Sequence, residues 1–307
     1  MSGTWRMRCP TRCWPNWEHC DVWSAVIVDA HHHIWDPEGH AWLDSFPSLR
    51  KRFGLDDFAA ASSGVHASVL VQVLASTAET EEFLALAGQS GEPRGSEPRG
   101  RVAGVVGWAD LTSPAIADEL ARLQELPGGQ SLVGIRHLVQ DEPDPGWLLG
   151  VRRGLRAVGA AGLMYDLLVR PAQLPAAVEV TGDLPEVGFV LDHGGKPEMW
   201  SGELEPWSGL IAELASRPNV VCKFSGLVTE AGPHWSAERI APYADRLLGC
   251  FGSERLMFGS DWPVCTLAAS YAEVVALARD LLGAHLSETE MDAVFSGNAT
   301  RFYRLQR

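Results

Sequence analysis

Residues 25–36, AVIVDAHHHIWD, place three consecutive histidines at the end of an apolar, β-branched run. Such a run is typical of a buried strand. Because side chains alternate along a strand, His31 and His33 share one face, and we expect His32 to pack behind them. Two imidazoles on one face can offer their nitrogens to one divalent metal ion such as zinc. The stretch therefore predicts a strand that ends in a polar site.

The same alternation of apolar runs and helical patterns continues along the 307-residue chain. The predicted strands are VIVDAH (26–31), ASVLVQVL (67–74), VAGVVGWAD (102–110), LVGIRHL (132–138), GLMYDLLV (162–169), VGFVLDHG (187–194), NVVCKFSG (219–226) and RLMFGSDW (255–262). Several of these runs are almost continuously apolar, as in parallel strands covered on both faces. Eight strand–helix units predict an α/β fold, a single-domain (β/α)8 TIM barrel. An open, doubly wound sheet is the alternative, but no glycine-rich phosphate loop follows the first strand.

The composition limits the classes of partner. The chain is 46% hydrophobic, which predicts a globular core, and it carries a formal net charge of −14. This acidity argues against sequence-independent binding to nucleic acid or to an anionic membrane surface. No apolar window is long enough for a membrane span, and no secretory signal is visible, so a cytoplasmic location is predicted. A small-molecule substrate fits these limits, and self-association into a homo-oligomer stays open.

Two segments are predicted to lie outside the compact core. Residues 1–24 form a tryptophan-rich leader, and the folded domain is expected to span residues 25–307. The leader contains a group of potential metal ligands whose spacing matches none of the common zinc patterns, namely Cys9, Cys13, His19 and Cys20. The stretch GQSGEPRGSEPRG (88–100) repeats Glu-Pro-Arg-Gly and predicts a surface loop.

Polar side chains collect where the predicted strands end. Catalytic residues of a TIM barrel lie at the carboxyl ends of its strands. The polar residues at these positions are His31, His33, Arg136, His137, Asp166, His193, Lys223 and Asp261. His193 and Asp261 are the candidates that would complete a metal site with the histidine pair, and Lys223 is expected to pair with Asp166. Together these residues predict an active site at one mouth of the barrel.

Six motifs, DAHHHIWD, VGIRH, LDHGGKP, CKFSGL, MFGSDWPVC and GNATRFYRL, occur in this order between Val26 and Leu305. Together they resemble the amidohydrolase superfamily of metal-dependent TIM-barrel hydrolases. LDHGGKP and GSDWPVC are the more specific motifs, and they resemble its sugar-lactonase branch of the L-fuconolactonase and L-rhamnonolactonase type. The resemblance implies a reacting centre formed by His31, His33, His193 and Asp261. Strand five departs from the broad pattern because it carries no metal-binding histidine and no lysine for carbamylation, which favours one metal over two.

The resemblance implies hydrolysis of a sugar lactone by attack of water on the ester carbonyl. Asp261 would act as the general base, and His193 would be either a third metal ligand or a donor to the carbonyl oxygen. One divalent ion, zinc by preference, would polarise the carbonyl; a related pyrone lactonase branch suggests a metal-free variant in which the histidines do so. The candidate substrate-binding residues are the donors Arg136, His137, Lys196 and Tyr165 and the flat side chains Trp35 and Trp262.

Two other functions compete with lactone hydrolysis. A metal-dependent decarboxylase of the same superfamily would use much the same set of residues on an aromatic or enoic acid. A catalytically silent barrel that acts as a binding protein would lack histidines or carboxylates at its strand ends, and here they are present. The sequence therefore favours an enzyme and leaves its exact substrate open.

Overall fold

A computed structural model describes residues 26–90 and 101–306 of the chain. The predicted leader, residues 1–24, lies outside the described residues, and so do Cys9, Cys13, His19 and Cys20. Residues 91–100 of the predicted loop also lie outside them, whereas residues 88–90 belong to a helix. No helix within the described ranges is both long enough and apolar enough to cross a membrane.

Eight parallel strands follow one another around a single sheet in chain order. Their bounds are β1 (Ile27–His32), β2 (Val65–Val71), β3 (Arg101–Gly107), β4 (Leu132–His137), β5 (Met164–Leu167), β6 (Phe189–Leu191), β7 (Val220–Phe224) and β8 (Leu256–Phe258). Sequential order with parallel pairing is the topology of a TIM barrel, so the predicted fold class is confirmed. A doubly wound sheet would instead reverse its strand order partway across.

Helices connect the strands and cover the outside of the sheet. Their bounds are α1 (Leu55–Ala61), α2 (Thr77–Ser90), α3 (Ile116–Glu125), α4 (Trp147–Gly150), α5 (Arg152–Ala160), α6 (Leu174–Asp183), α7 (Trp207–Ala215), α8 (Leu227–Ala231), α9 (Ala237–Phe251), α10 (Tyr271–Gly283), α11 (Glu288–Asp292) and α12 (Asn298–Phe302). The helices bury large apolar side chains such as Phe58 and Leu120 against the outward face of the strands.

The barrel closes through the segment that follows β8. The backbone N–H of Asp261 donates to the carbonyl of His31 at 2.8 Å, and that of His33 donates to the carbonyl of Trp262 at 2.7 Å. The hydrogen bonds that close the barrel are therefore made by residues of the predicted site. A substitution in this segment would affect both the site and the wall of the barrel.

Seven of the eight strands are shorter than the sequence pattern predicted, β6 and β8 most of all. β6 ends at Leu191 and β8 at Phe258, whereas the apolar runs suggested strands to 194 and 262. The backbone turns into the left-handed region at His193 (φ 52°) and Asp261 (φ 57°), which no strand can accommodate. His193 and Asp261 thus lie on turns that follow the hydrogen-bonded parts of β6 and β8.

A second, smaller apolar core fills the inside of the barrel. It consists mostly of small and β-branched side chains, namely Val28, Ala30, Val69, Val71, Val106, Val133, Val190, Val221, Met257, Ala299, Tyr303 and Leu305. Side chains of this size suit the narrow interior of an eight-stranded barrel. The last members come from α12 and the residues after it, so the end of the described chain packs into the barrel.

Candidate active site

His31 and His33 face the inside of the barrel together. Their Nε2 atoms lie 3.1 Å apart, and both rings are buried. Nδ1 of His33 lies 2.7 Å from the carbonyl oxygen of Val71. Because a carbonyl only accepts, Nδ1 of the neutral ring carries the proton, and Nε2 presents a lone pair to the site. The two rings therefore form the predicted pair.

His32 faces the other side of β1. Its Nε2 lies 3.0 Å from Oγ of Ser68, and its ring stacks on Phe58 with the centroids 3.9 Å apart. Burial lowers the pKa of His32 to about 3. The predicted packing of His32 behind the pair is thus confirmed.

Asp261 and His193 complete a compact cluster with the pair. Oδ1 of Asp261 lies 3.5 Å from Nε2 of His33, 3.8 Å from Nε2 of His31 and 3.9 Å from Nε2 of His193. Nδ1 of His193 lies 2.9 Å from Oγ of Ser225, which follows β7. Three imidazole nitrogens, from the end of β1, the residue after it and the turn after β6, therefore surround one carboxylate oxygen.

The environment of this cluster favours neutral rings beside an ionised acid. Burial lowers the pKa of His33, and it lowers the pKa of His193 to about 4. Burial alone would raise the pKa of Asp261, but the neighbouring His193 and His33 outweigh it, so that pKa lies below its ordinary value. At neutral pH the cluster thus holds a carboxylate that can accept a proton.

A network of buried charges lies beside the cluster. Nη1 of Arg136 is 3.0 Å from Oδ2 of Asp192 and 3.3 Å from Nε2 of His31. Nζ of Lys223 is 3.0 Å from Oδ1 of Asp192 and 2.6 Å from Oδ2 of Asp166. The predicted pairing of Lys223 with Asp166 is confirmed. Two cations and two carboxylates can be buried together because each charge has a partner of opposite sign.

Asp192 is a site residue that the sequence analysis missed. Burial opposes its ionisation, but Lys223 and His31 hold its pKa well below the usual range. Asp192 immediately precedes His193 and directly follows β6. Its position in LDHGG, a carboxylate at a strand end of the barrel, was a sequence signal that could have identified it.

Tyr165 does not lie in the site. Its side chain is fully buried among outward-facing apolar residues and meets the ring of Phe189 edge to face, with the centroids 6.2 Å apart. Asp166 is its neighbour on β5 and points into the barrel, so alternation turns Tyr165 outward. The expectation that Tyr165 contacts the substrate is therefore wrong on geometric grounds.

The two predicted stacking residues are used in packing. Nε1 of Trp35 donates to the carbonyls of Leu49 and Lys51, and its ring meets that of Phe53 edge to face. Trp262 is buried and packs on the rings of Phe53 and Phe58. These contacts leave both indoles almost fully buried. Both side chains therefore stabilise the loops around the site.

The other predicted donors lie on the rim of the site. Nε1 of Trp108 donates to Nδ1 of His137, whose Nε2 lies 2.7 Å from Oε1 of Glu142. Nζ of Lys196 lies 3.3 Å from Oε1 of Glu230, and both side chains are partly exposed. Lys196 is near enough to Asp261 to lower its pKa. Of these residues, Lys196 has the most accessible charged group beside the cluster.

The donor set fits one divalent metal ion. Ligand atoms of His31, His33 and Asp261 lie within 4.8 Å of one another, and all three residues are buried. Nitrogen and oxygen atoms bound tetrahedrally to zinc at ~2.0–2.1 Å lie roughly 3.3 Å apart, close to the spacing found here. His193 belongs to a second such group, with His31 and Asp192. The cluster therefore supports metal binding, although Arg136 competes for Nε2 of His31.

Comparison with known proteins extends these observations. A sequence profile described as amidohydrolase matches residues 28–305. L-fucono-1,5-lactonase of Burkholderia ambifaria is 35% identical over 290 residues, which are 91% of this chain and 96% of that protein. The similarity thus extends over nearly the whole folded region.

Solved structures share the same barrel. The crystal structure of a zinc-bound amidohydrolase from Burkholderia multivorans has a TM-score of 0.83 and 36% identity, and the match covers 92% of this chain and all of that chain, 100%. A 5-carboxyvanillate decarboxylase from Sphingomonas paucimobilis has a TM-score of 0.59 and 16% identity, with coverage of 92% and 100%. At this lower identity the likeness concerns the fold alone.

Proposed function

Because the chain belongs to the amidohydrolase family, we propose that it is a hydrolase that opens the ring of a sugar lactone. The observation that carries the proposal is the position of Asp261, an ionised carboxylate within 3.9 Å of three buried imidazole nitrogens. An ester carbonyl attacked by water needs a base for the water and donors for the developing oxyanion. The cluster supplies both kinds of group, and the lactonase-named relative supports the substrate class.

Asp261 is the proposed proton carrier. Its carboxylate accepts a proton from the attacking water and then delivers that proton to the ring oxygen as the ester bond breaks. His193 is the proposed donor to the carbonyl oxygen. If Oγ of Ser225 donates to Nδ1 of His193, the ring proton lies on Nε2, which faces the cluster.

A divalent ion has a defined place in this proposal. His31, His33 and Asp261 would hold it, and we propose zinc because imidazole and carboxylate ligands suit that ion. When bound, it would polarise the lactone carbonyl and lower the pKa of a bound water. In a metal-free form, the positive charge of Arg136 beside His31 would take part of this role.

Recognition of the sugar is assigned to the rim of the site. Lys196 donates hydrogen bonds, and its partner Glu230 accepts them, so the pair suits neighbouring hydroxyl groups of a polyol. His137 and Arg136 are also proposed to contact the substrate, but less directly, because their polar atoms already have protein partners.

We also propose a cytoplasmic location. The free thiols of Cys222, Cys250 and Cys265 are consistent with a reducing compartment.

A panel of aldonolactones, assayed with a pH indicator, tests the proposed function. Acid release from one or more sugar lactones is expected, and Asp261→Asn should slow it by roughly 10³-fold. The assay is repeated after chelation and after addition of zinc or manganese, which separates the metal-assisted form from the metal-free form. Absence of acid release across the panel, together with carbon dioxide release from an aromatic or enoic acid, would contradict the lactonase proposal and favour the decarboxylase.

A further inference from the structure

Trp108 is a half-buried tryptophan that packs against neither apolar core in the described part of the chain. The other described tryptophans lie in the core between helices and sheet (Trp35, Trp207, Trp262), pack against that core (Trp42, Trp147, Trp235) or are exposed (Trp200). An indole carries a large apolar surface that normally packs against other apolar groups. The shielded but unpacked surface of Trp108 is therefore available to a ligand.

The end of β3 directs Trp108 toward the mouth of the barrel. Val106 belongs to the inner core, and a Cβ atom added to Gly107 would clash with Thr80 of α2, outside the sheet. Because side chains alternate along a strand, the next residue, Trp108, faces inward. Its backbone N–H donates to Oγ1 of Thr80 at 2.8 Å, which fixes the backbone at this point. The indole thus lies just past the carboxyl end of β3, at the level of the candidate active site.

His137, the last residue of β4, holds the indole in place. Nε1 of Trp108 donates to Nδ1 of His137 at 3.1 Å, and an indole N–H can only donate. The other ring nitrogen of His137, Nε2, donates to Oε1 of Glu142 at 2.7 Å. The imidazole also stacks on the ring of Trp147, with the centroids 4.2 Å apart and the planes at 9°. A surface held in this way loses little conformational entropy when a ligand binds to it.

The wall that carries Trp108 lies within reach of the reacting cluster. The eight strands follow one another in chain order, so β3 and β4 lie across the barrel from β7 and β8, whereas Asp261 follows β8. Arg136, the neighbour of His137 on β4, reaches to 3.3 Å from Nε2 of His31. The mouth of an eight-stranded barrel is wide enough for one small ligand. A lactone with its carbonyl at Asp261 therefore extends its ring toward the wall formed by β3 and β4.

The chemistry of this wall suits a sugar ring. A sugar ring has apolar C–H faces and carries its hydroxyl groups around the edge. A C–H face can pack on the indole of Trp108, while a carboxylate at the side accepts hydrogen bonds from hydroxyl groups. Glu142 supplies such a carboxylate, and its side chain is 27% exposed.

From these contacts we propose that Trp108, held by His137, is the stacking surface for the sugar ring of the substrate. The kinetic part of this inference rests on the proposed lactonase function, whereas the binding of a sugar ring does not. The ligand is a cyclic polyol with an open C–H face. Because the stack lies away from the carbonyl, it stabilises the bound substrate and the transition state alike, and its loss raises KM without lowering kcat.

The test compares two substitutions in the full-length protein. Trp108→Leu removes the flat surface, and Trp108→Phe keeps a flat ring but removes the N–H group. On the lactone that the wild type hydrolyses fastest, Trp108→Leu should raise KM roughly tenfold and leave kcat within about twofold of the wild type. Trp108→Phe should raise KM only about threefold, since the aromatic face is kept.

Isothermal titration calorimetry provides a measurement that does not depend on turnover. The probes are 1,5-lactams of hexonic acids, in D and L forms, whose ring amide resists hydrolysis. The lactam that the wild type binds most tightly should bind roughly tenfold more weakly to Trp108→Leu, as its KM predicts.

Trp42→Leu is the matched control. Nε1 of Trp42 donates to Nδ1 of His40 at 3.3 Å, which is the same kind of hydrogen bond as that of Trp108. The ring of Trp42, however, meets that of Trp35 edge to face and packs against the core. Trp42→Leu should therefore lower the thermal midpoint and keep the wild-type KM, whereas Trp108→Leu should raise KM and keep the midpoint. If Trp108→Leu does not fold, Trp108→Phe still tests the inference through its smaller rise in KM.

Two outcomes would overturn the inference: a folded Trp108→Leu variant with wild-type KM and lactam affinity, or a rise in KM in Trp42→Leu as large as in Trp108→Leu. Failure of the proposed function is a separate result. A wild type that releases no acid from any lactone, but binds a lactam less tightly after Trp108→Leu, would refute hydrolysis and support the sugar-binding surface. A wild type that neither hydrolyses a lactone nor binds a lactam would overturn both.

Discussion

At the scale of single residues, Asp261 is the side chain with the clearest chemical task. Among the residues that the structure describes, it is the one carboxylate that the three imidazoles of the cluster all approach, and its pKa is lowered by His193 and His33 despite its burial. Asp192, by contrast, is already paired with Arg136 and Lys223. The proposed mechanism therefore assigns proton transfer to Asp261.

We expect Asp261→Asn to lower kcat on the preferred lactone by roughly 10³-fold, because an amide cannot take a proton from water. The amide keeps the size of the side chain and can accept the same contacts, so circular dichroism and the thermal midpoint should stay close to the wild type. Steady-state kinetics provide the measurement. A folded variant with wild-type kcat would remove Asp261 from the role of base.

The burial of His32 leads us to predict that the stability of the fold depends on pH, independently of catalysis. In the fold its pKa is lowered from 6.5 to about 3 by burial, so the folded state keeps the ring neutral where the unfolded chain takes up a proton. The unfolded state then binds more protons below pH 6.5, and the free energy of unfolding falls as the pH falls. The slope for one such group is ~1.4 kcal/mol per pH unit.

The comparison that isolates this group is wild type against His32→Gln, whose amide can still reach Ser68. Urea unfolding at a series of pH values should show the wild type losing ~1.4 kcal/mol per pH unit relative to the variant as the pH falls from about 6 toward about 4. Above pH 7 the difference should be constant. Parallel curves across the whole range would show that His32 is not held neutral by the fold.

At the scale of secondary-structure elements, the connection from β7 to α8 holds His193 in place. Gly226 precedes α8 with φ +68°, and a Cβ atom added there would lie 2.6 Å from Nδ1 of His193. Gly252, after α9, has a similar φ of +65° but nothing within 4 Å of its added Cβ. The two glycines therefore both have a positive φ, but they differ in ψ (−4° at Gly226 and 173° at Gly252) and in what lies beside them.

Gly252→Ala is therefore a control for backbone strain without a neighbouring side chain. Gly226→Ala should lower the free energy of unfolding by about 1–2 kcal/mol and Gly252→Ala by about 1–3 kcal/mol, because alanine is strained at positive φ. Only Gly226→Ala should displace His193 and lower kcat, by roughly tenfold or more, since a shift of ~1 Å in a catalytic group has large effects. Unfolding curves and lactonase kinetics separate the two effects. Equal losses of kcat in both variants would contradict a local role for Gly226.

The elements also show how far the sequence could predict the site. Alternation along β1 placed His31, His33 and His32 correctly, and position at a strand end identified Asp261 and His193. The same alternation, applied to β5, would have excluded Tyr165, because its neighbour Asp166 faces inward. Where a strand gives way to a left-handed turn, the periodicity of apolar residues no longer indicates the backbone conformation. The strands were therefore predicted to extend too far. The packing partners of Trp35 and Trp262 were not predicted, since partners distant in sequence are not visible in a local pattern.

At the scale of the whole molecule, the position of residues 303–305 inside the barrel could not be predicted from the sequence. Tyr303 and Leu305 follow a short helix, not a strand, so nothing in their spacing predicts entry into the barrel. The structure places both in the inner core, and Tyr303 reaches the charged network from there. The fold therefore depends on contacts between the first strands and the last residues, which form only when the barrel is complete.

A substitution of Leu305 tests the apolar packing of these last residues separately from the hydrogen bonds of Tyr303. Its side chain is 7% exposed, and a Cβ atom on Gly104 of β3 would lie 2.9 Å from its Cδ2 atom, so it packs closely on the barrel wall. Leu305→Ala should lower the free energy of unfolding by about 2–5 kcal/mol, since the rigid barrel cannot collapse around the cavity. Its kcat should stay near the wild-type value because Leu305 has no polar contact with Asp166 or Lys223.

Urea unfolding and lactonase kinetics on Leu305→Ala and on the wild type test this prediction. The variant should lose stability and keep its kcat. Unchanged stability in Leu305→Ala would show that the barrel does not need this residue to seal its interior. A clear loss of kcat would show that the packing of Leu305 also affects the candidate active site.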